Sequence, residues 1–91
     1  MTTLHMEVET ARSTQSNMSN THSQLTSMLQ SMNSAVNGLQ PAWLGNSASE
    51  FFAEYDQWRN TTQQLLEALN VLTTRLNNEI TEWDTMASKL A

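Results

Sequence analysis

The sequence predicts an all-α protein, an antiparallel helix-turn-helix hairpin that dimerises into a four-helix bundle. Three observations predict it. Apolar residues recur at alternating steps of four and three through two long stretches, which is the spacing of a helix face and not the alternation by two of a strand. A single break holding Pro41 and the Trp43-Leu44-Gly45 triplet separates them near the chain midpoint. A second apolar set runs beside the first, more than one hairpin buries between its own two helices. The length suits one domain spanning residues 1–91. Its expected parts are a first helix over about residues 3–39, a turn over about 40–46 and a second helix over about 47–89.

In the first helix the row is Leu4, Val8, Ala11, Gln15, Met18, His22, Leu25, Leu29, Met32, Val36 and Leu39. Only Gln15 and His22 interrupt it, so it reads as a coiled-coil-like seam. Gly38 and Pro41 are expected to end the helix, since Gly suits the position past a C-terminus and Pro often follows. From Ser13 to Ser49 there is no Asp, Glu, Lys or Arg. Composition alone would favour a disordered polar tract, but the sustained periodicity argues for a helix with an uncharged polar outer face.

At the break, Trp43 is expected to lay its ring over the helix ends, while Gly45 permits a close approach or a positive φ. Ser47-Ala48-Ser49-Glu50 reads as a capping box. Glu50 and Glu54 suit the positive end of the second helix, and Lys89 its negative end.

The second helix repeats the rhythm through Phe51, Tyr55, Trp58, Thr62, Leu65, Leu69, Leu72, Leu76, Glu79, Trp83, Met86 and Leu90. A short turn makes the helices antiparallel. The expected hairpin seam therefore joins Leu25, Leu29, Met32, Val36 and Leu39 to Tyr55, Trp58, Leu65, Leu69, Leu72 and Leu76. Beside it on the second helix lie Phe52, Leu66 and Ile80, in a row with Arg59, Thr73 and Ala87, and Met28 and Ala35 flank the first seam. Phe52, Leu66 and Ile80 are thus the candidate dimer stripe, with scattered exposed apolar residues as the bland alternative.

Charge and composition exclude several functions. A net charge of −5 with four basic residues does not suit binding to nucleic acid or anionic lipid. No stretch approaches the ~18 apolar residues of a membrane span, so no direct membrane insertion is expected. The amino-terminal residues lack the basic and apolar regions of a cleaved signal peptide. There is no Cys, hence no disulfide, thiolate ligand or thiol nucleophile.

His5 and His22 stand about 25 Å apart along a straight helix and cannot share a metal within one chain. His22 reads as a partly buried seam histidine, with a pH-sensitive register pin as the functional alternative. Glu50, Glu54 and Asp56 read as a solvated first turn. Glu79, at a seam position, is costly to bury unless paired or partner-facing. The six Met residues read as core filler. No titratable set clusters into a recognisable catalytic arrangement, so no catalytic residue, cofactor or metal is expected and the chain reads as non-enzymatic.

Trp43-x-Gly45 between two helices, followed by Ala48, Phe51 and Phe52, the aromatics Tyr55 and Trp58, and the Leu65-Leu69-Leu72-Leu76 ladder, resembles the WXG family of small ESAT-like proteins over essentially the whole chain. The resemblance implies a hairpin that pairs into a four-helix bundle, with a homodimer expected and a heterodimer the alternative. It implies a secreted substrate of a type VII (ESX-like) secretion system, exported folded without a cleaved signal peptide by a membrane-anchored ATPase of the FtsK/SpoIIIE type. Trp43 and Gly45 carry over as the turn motif and a groove for a partner or for export. The family's tail motif, Tyr-x-x-x-Asp/Glu, does not carry over: Tyr55 is followed four residues on by Arg59, and Trp83 by Ala87. This leaves open a second role, a helical adaptor or secretion chaperone for a larger toxin or a signal-bearing relative.

Overall fold

Helix α1 spans Val8–Leu39, a short 3-10 turn spans Gln40–Ala42, and helix α2 spans Asn46–Leu90. These elements come from a computed structural model that describes residues 5–90, with side chains described as far as residue 87. The two helices pack against each other as a hairpin with no strand among the described residues. At 1.5 Å per residue, α2 alone is about 68 Å long, and the molecule measures 68 × 24 × 16 Å. Leu4, expected at the start of the first seam, and the side chains of Lys89 and Leu90 lie outside the described residues.

Both helix boundaries at the amino ends depart from the sequence signals. Helix α1 begins at Val8, with His5 to Glu7 before it. Glu7 occupies the N-cap position without a side-chain bond to the helix amides; its carbonyl accepts from the Ala11 N–H at 3.0 Å. Helix α2 begins one residue ahead of Ser47, so Ser47 lies inside the first turn and no hydrogen bond joins Ser47 and Glu50. The capping position falls to Gly45, whose carbonyl accepts from the Ser49 N–H at 3.1 Å. Gly38 does not end α1. It stays inside the helix, and the chain continues through the Pro41-bearing 3-10 turn, because Pro is compatible with the first position of a helical turn.

The inward face also differs from the expected seam. Phe52, Leu66 and Ile80, expected to form the dimer stripe, pack within the hairpin: Leu66 is 9% exposed and Ile80 2%. Conversely Trp58, Leu65 and Leu72, expected in the hairpin seam, are exposed. Tyr55, Leu69 and Leu76 are half-buried. They form a shared row, flanked on one side by Phe52, Arg59, Leu66, Thr73 and Ile80 and on the other by Phe51, Trp58, Leu65 and Leu72. Counting apolar residues selects the second flank, since Arg59 and Thr73 interrupt the first.

The two interruptions are met differently, Thr73 fully and Arg59 in part, by partners within α2. The Thr73 hydroxyl donates to the Leu69 carbonyl at 2.8 Å, which satisfies it without a partner from α1. Arg59 is paired only in part: one terminal guanidinium nitrogen lies 3.6 Å from an Asp56 carboxylate oxygen, while its Nε is buried with no hydrogen-bond partner.

On α1 the departure starts after His22. Val8, Ala11, Gln15, Met18 and His22 all face partly inward, as do Leu29 (buried) and Val36, but Leu25, Met32 and Leu39 are exposed. Thr26 and Asn33 take the inward places instead. A helix with 3.6 residues per turn drifts about 20° per heptad against a strict seven-residue repeat, so a nearly straight helix moves its inward row by one column. The polar newcomers are paired: the Thr26 hydroxyl donates to the His22 carbonyl at 2.8 Å, and the Tyr55 hydroxyl donates to Asn33 Oδ1 across the seam. Near the open end Arg12 of α1 is paired with Asp84 of α2, so the antiparallel pairing has a polar tie toward each end.

Candidate functional site

The corner is built on two backbone conformations, at Trp43 and at Gly45. Trp43 is extended, at φ −140° and ψ 109°. Gly45 then takes φ +121°, the only positive φ among the described residues. A Cβ placed on Gly45 would meet no atom within 4 Å. Of the two roles expected for this glycine, the positive φ is therefore the one that applies, since an L-residue there is strained without any clash with a neighbour.

The turn throws the Trp43 ring back onto the first turns of α2. Its centroid lies 5.4 Å from that of Phe51 and 5.9 Å from that of Phe52, and the two Phe rings lie 5.5 Å apart, edge to face. These are ordinary attractive geometries for aromatic pairs. Ala48 is buried at 3% exposure beneath the corner, where a small side chain lets the turn close on the helix. Leu44, between Trp43 and Gly45, is 84% exposed. A shallow hollow of about 240 Å³ opens here, bordered by Gln40, Trp43, Gly45, Ala48, Ser49 and Phe52. Its lining mixes polar and apolar groups.

A larger apolar feature lies farther along the hairpin. Leu25, Met28 and Met32 of α1 and Trp58, Leu65 and Leu69 of α2 border a groove of about 320 Å³, floored by Leu29 and Leu66. Trp58 also stacks at 5.6 Å on Tyr55, which holds the indole at the rim. Leu25, Met28, Met32, Trp58 and Leu65 of this rim, with Phe51, Leu39 and Leu72, are exposed large apolar residues. Monomeric soluble proteins rarely leave large contiguous apolar patches uncovered.

The corner and the presence of two apolar surfaces are legible in the sequence, whereas the exposure of Leu44, the Asn33–Tyr55 bond and the Arg12–Asp84 pair come from the structure. Arg12 is the only basic residue of α1, and antiparallel pairing places it beside the acidic end of α2, so that pair had a readable signal. Asn33 had none, because the four-three count placed its neighbour Met32 inward. Among the described residues no three His, Asp or Glu side chains gather as metal ligands, and no helix is long and apolar enough to cross a membrane.

Comparison with known proteins gives a match to one family, described as "WXG100: Proteins of 100 residues with WXG", over residues 3–89. No curated protein and no solved structure matches the chain.

Proposed function

We propose that this chain, which belongs to the WXG100 family of small ESAT-like proteins, is a non-enzymatic secreted protein of a type VII secretion system, exported as a folded helical dimer without a cleaved signal peptide. The observation that carries the reading is the corner. A positive-φ Gly45 and a Trp43 ring clustered with Phe51 and Phe52 make a fixed apolar end to the hairpin, with Leu44 presented to a partner. The exposed row Trp58, Leu65 and Leu72, with Met28 and Met32 beside it, supports association of two hairpins into a four-helix bundle, because it is the apolar surface a single hairpin leaves uncovered. The partner in export is a membrane-anchored ATPase of the FtsK/SpoIIIE type.

The test separates the corner from the dimer face. Trp43→Ala is expected to reduce the protein outside the cell far more than it reduces dimerisation, measured by comparing culture supernatant with cell extract and by sedimentation of the purified chain. Normal extracellular levels of the variant would overturn this role for the corner. A second reading is favoured by one feature: neither Tyr55 nor Trp83 is followed four residues on by an acidic residue. In that reading the chain is an adaptor or secretion chaperone whose export signal comes from a larger toxin or a tail-bearing relative. Export of this chain expressed without such a relative would remove it.

A further inference from the structure

We propose that Met28 and Met32 are an oxidation site: hydrogen peroxide converts their thioethers to sulfoxides, and the altered groove no longer accepts a second copy of the chain. The inference rests on the dimer reading above and adds a chemical control to it.

The methionines divide by position. Met6 and Met18 are half-buried. Met28 is 62% exposed, Met32 45% and Met86 49%, so these three are not the core filler that their spacing suggests. Met28 and Met32 stand one helical turn apart, which places both thioethers on one face of α1. Both border the apolar groove with Trp58 and Leu65. Met86 is outside it, about 26 Å beyond Leu69 along α2. The chain has no Cys, so no thiol competes for the oxidant.

The step is an oxygen transfer. A sulfur lone pair attacks one peroxide oxygen, the O–O bond breaks, and the departing hydroxide takes the proton left on the transferred oxygen. Sulfur is oxidised by two electrons and the peroxide is reduced to water. The product is polar where the side chain was apolar. A sulfoxide oxygen accepts hydrogen bonds and donates none. In the free hairpin water serves it, so the helices are unaffected. Under a partner it needs a donor, and the groove lining presents almost no polar surface. Thr62, the one hydroxyl of that lining, already donates to the Trp58 carbonyl at 2.9 Å. From Ser13 to its end α1 has no Lys or Arg. Covering the oxidised groove therefore carries the cost of a buried polar group without a partner. The thioethers are open only while the groove is, so oxidation acts on separate chains and association protects them.

The test treats the purified chain with hydrogen peroxide, at a protein concentration below that of self-association, and maps the added oxygen by peptide mass spectrometry. Met28 and Met32 are expected to be oxidised ahead of Met18, with the helical circular dichroism unchanged. Self-association, read by sedimentation after concentration, is expected to weaken about tenfold or more. Methionine sulfoxide reductases of both epimer specificities are expected to restore it. The double variant Met28→Leu, Met32→Leu keeps the apolar volume; it is expected to associate normally and to be indifferent to peroxide, while Met86→Leu remains sensitive. Met28 and Met32 oxidised no faster than Met18, oxidised chains that associate as before, or a double variant as sensitive as the original chain would each overturn the oxidation site and leave the dimer reading standing. A chain that sediments as a monomer at every concentration before peroxide is added overturns both.

Discussion

The inner and outer rows of α2 flank the same half-buried row of Tyr55, Leu69 and Leu76, and they repeat with the same seven-residue period. The inner row, Phe52, Arg59, Leu66, Thr73 and Ile80, contains a guanidinium and a hydroxyl and is packed against α1. The outer row is apolar and exposed through Phe51, Trp58, Leu65 and Leu72 and ends at the half-buried Glu79. Apolar content alone would have exchanged them. The difference shows that a polar residue can occupy a helix seam when its own helix satisfies it, as the Leu69 carbonyl satisfies Thr73. It also shows that the more apolar of two rows need not be the first one a hairpin buries.

The comparison breaks most directly at Ile80. It is 2% exposed, and Ile80→Ala is expected to destabilise the hairpin by about 2–5 kcal/mol, read by denaturant unfolding at low protein concentration. A loss no larger than that of an outer-row substitution would mean the inner row is not the hairpin core.

Asn33→Ala is expected to cost about 1–2 kcal/mol, since it leaves the half-buried Tyr55 hydroxyl without its acceptor. Tyr55→Phe in the same background should then cost little more, so a double-mutant cycle sharpens the account of why Asn33 and not Met32 faces inward. Thr73→Val should be neutral or stabilising by up to about 1 kcal/mol, because the Leu69 carbonyl keeps its helix bond and the buried site gains an apolar isostere. Strong destabilisation would show that the hydroxyl serves more than its own helix.

The smallest effect on the single hairpin is expected at Leu72. Leu72→Ser should change hairpin stability in dilute solution by no more than about 0.5 kcal/mol, yet raise the concentration needed for self-association. Equal effects on both measurements would erase the distinction between the two rows.

Particular residues explain how much was readable in advance. The break at Pro41 to Gly45 and the long apolar runs on either side were legible, because helix periodicity and turn chemistry are local properties. The corner was legible as well, down to the need for glycine at position 45, since a positive φ is a demand of one residue's backbone. The capping box was misleading. Gly45 supplies its own carbonyl at the start of α2, which leaves Ser47 a turn residue of the helix and not its cap. The exchange of the two rows was not legible at all, because Arg59 and Thr73 look unsuited to a seam until their local partners are seen.

By itself, then, the sequence determined two long amphipathic helices, their antiparallel pairing through a tight Trp-x-Gly turn, and an excess of apolar surface over what one hairpin buries. The tertiary structure decided which surface is which. A seven-residue repeat defines rows on one helix, but the choice between two flanking rows depends on the rotation of that helix against its neighbour. That rotation is set jointly by the drift of α1 after His22, a property of that helix's own geometry, and by two relations across the hairpin and its turn, the Asn33–Tyr55 bond and the Trp43 ring closing on Phe51 and Phe52.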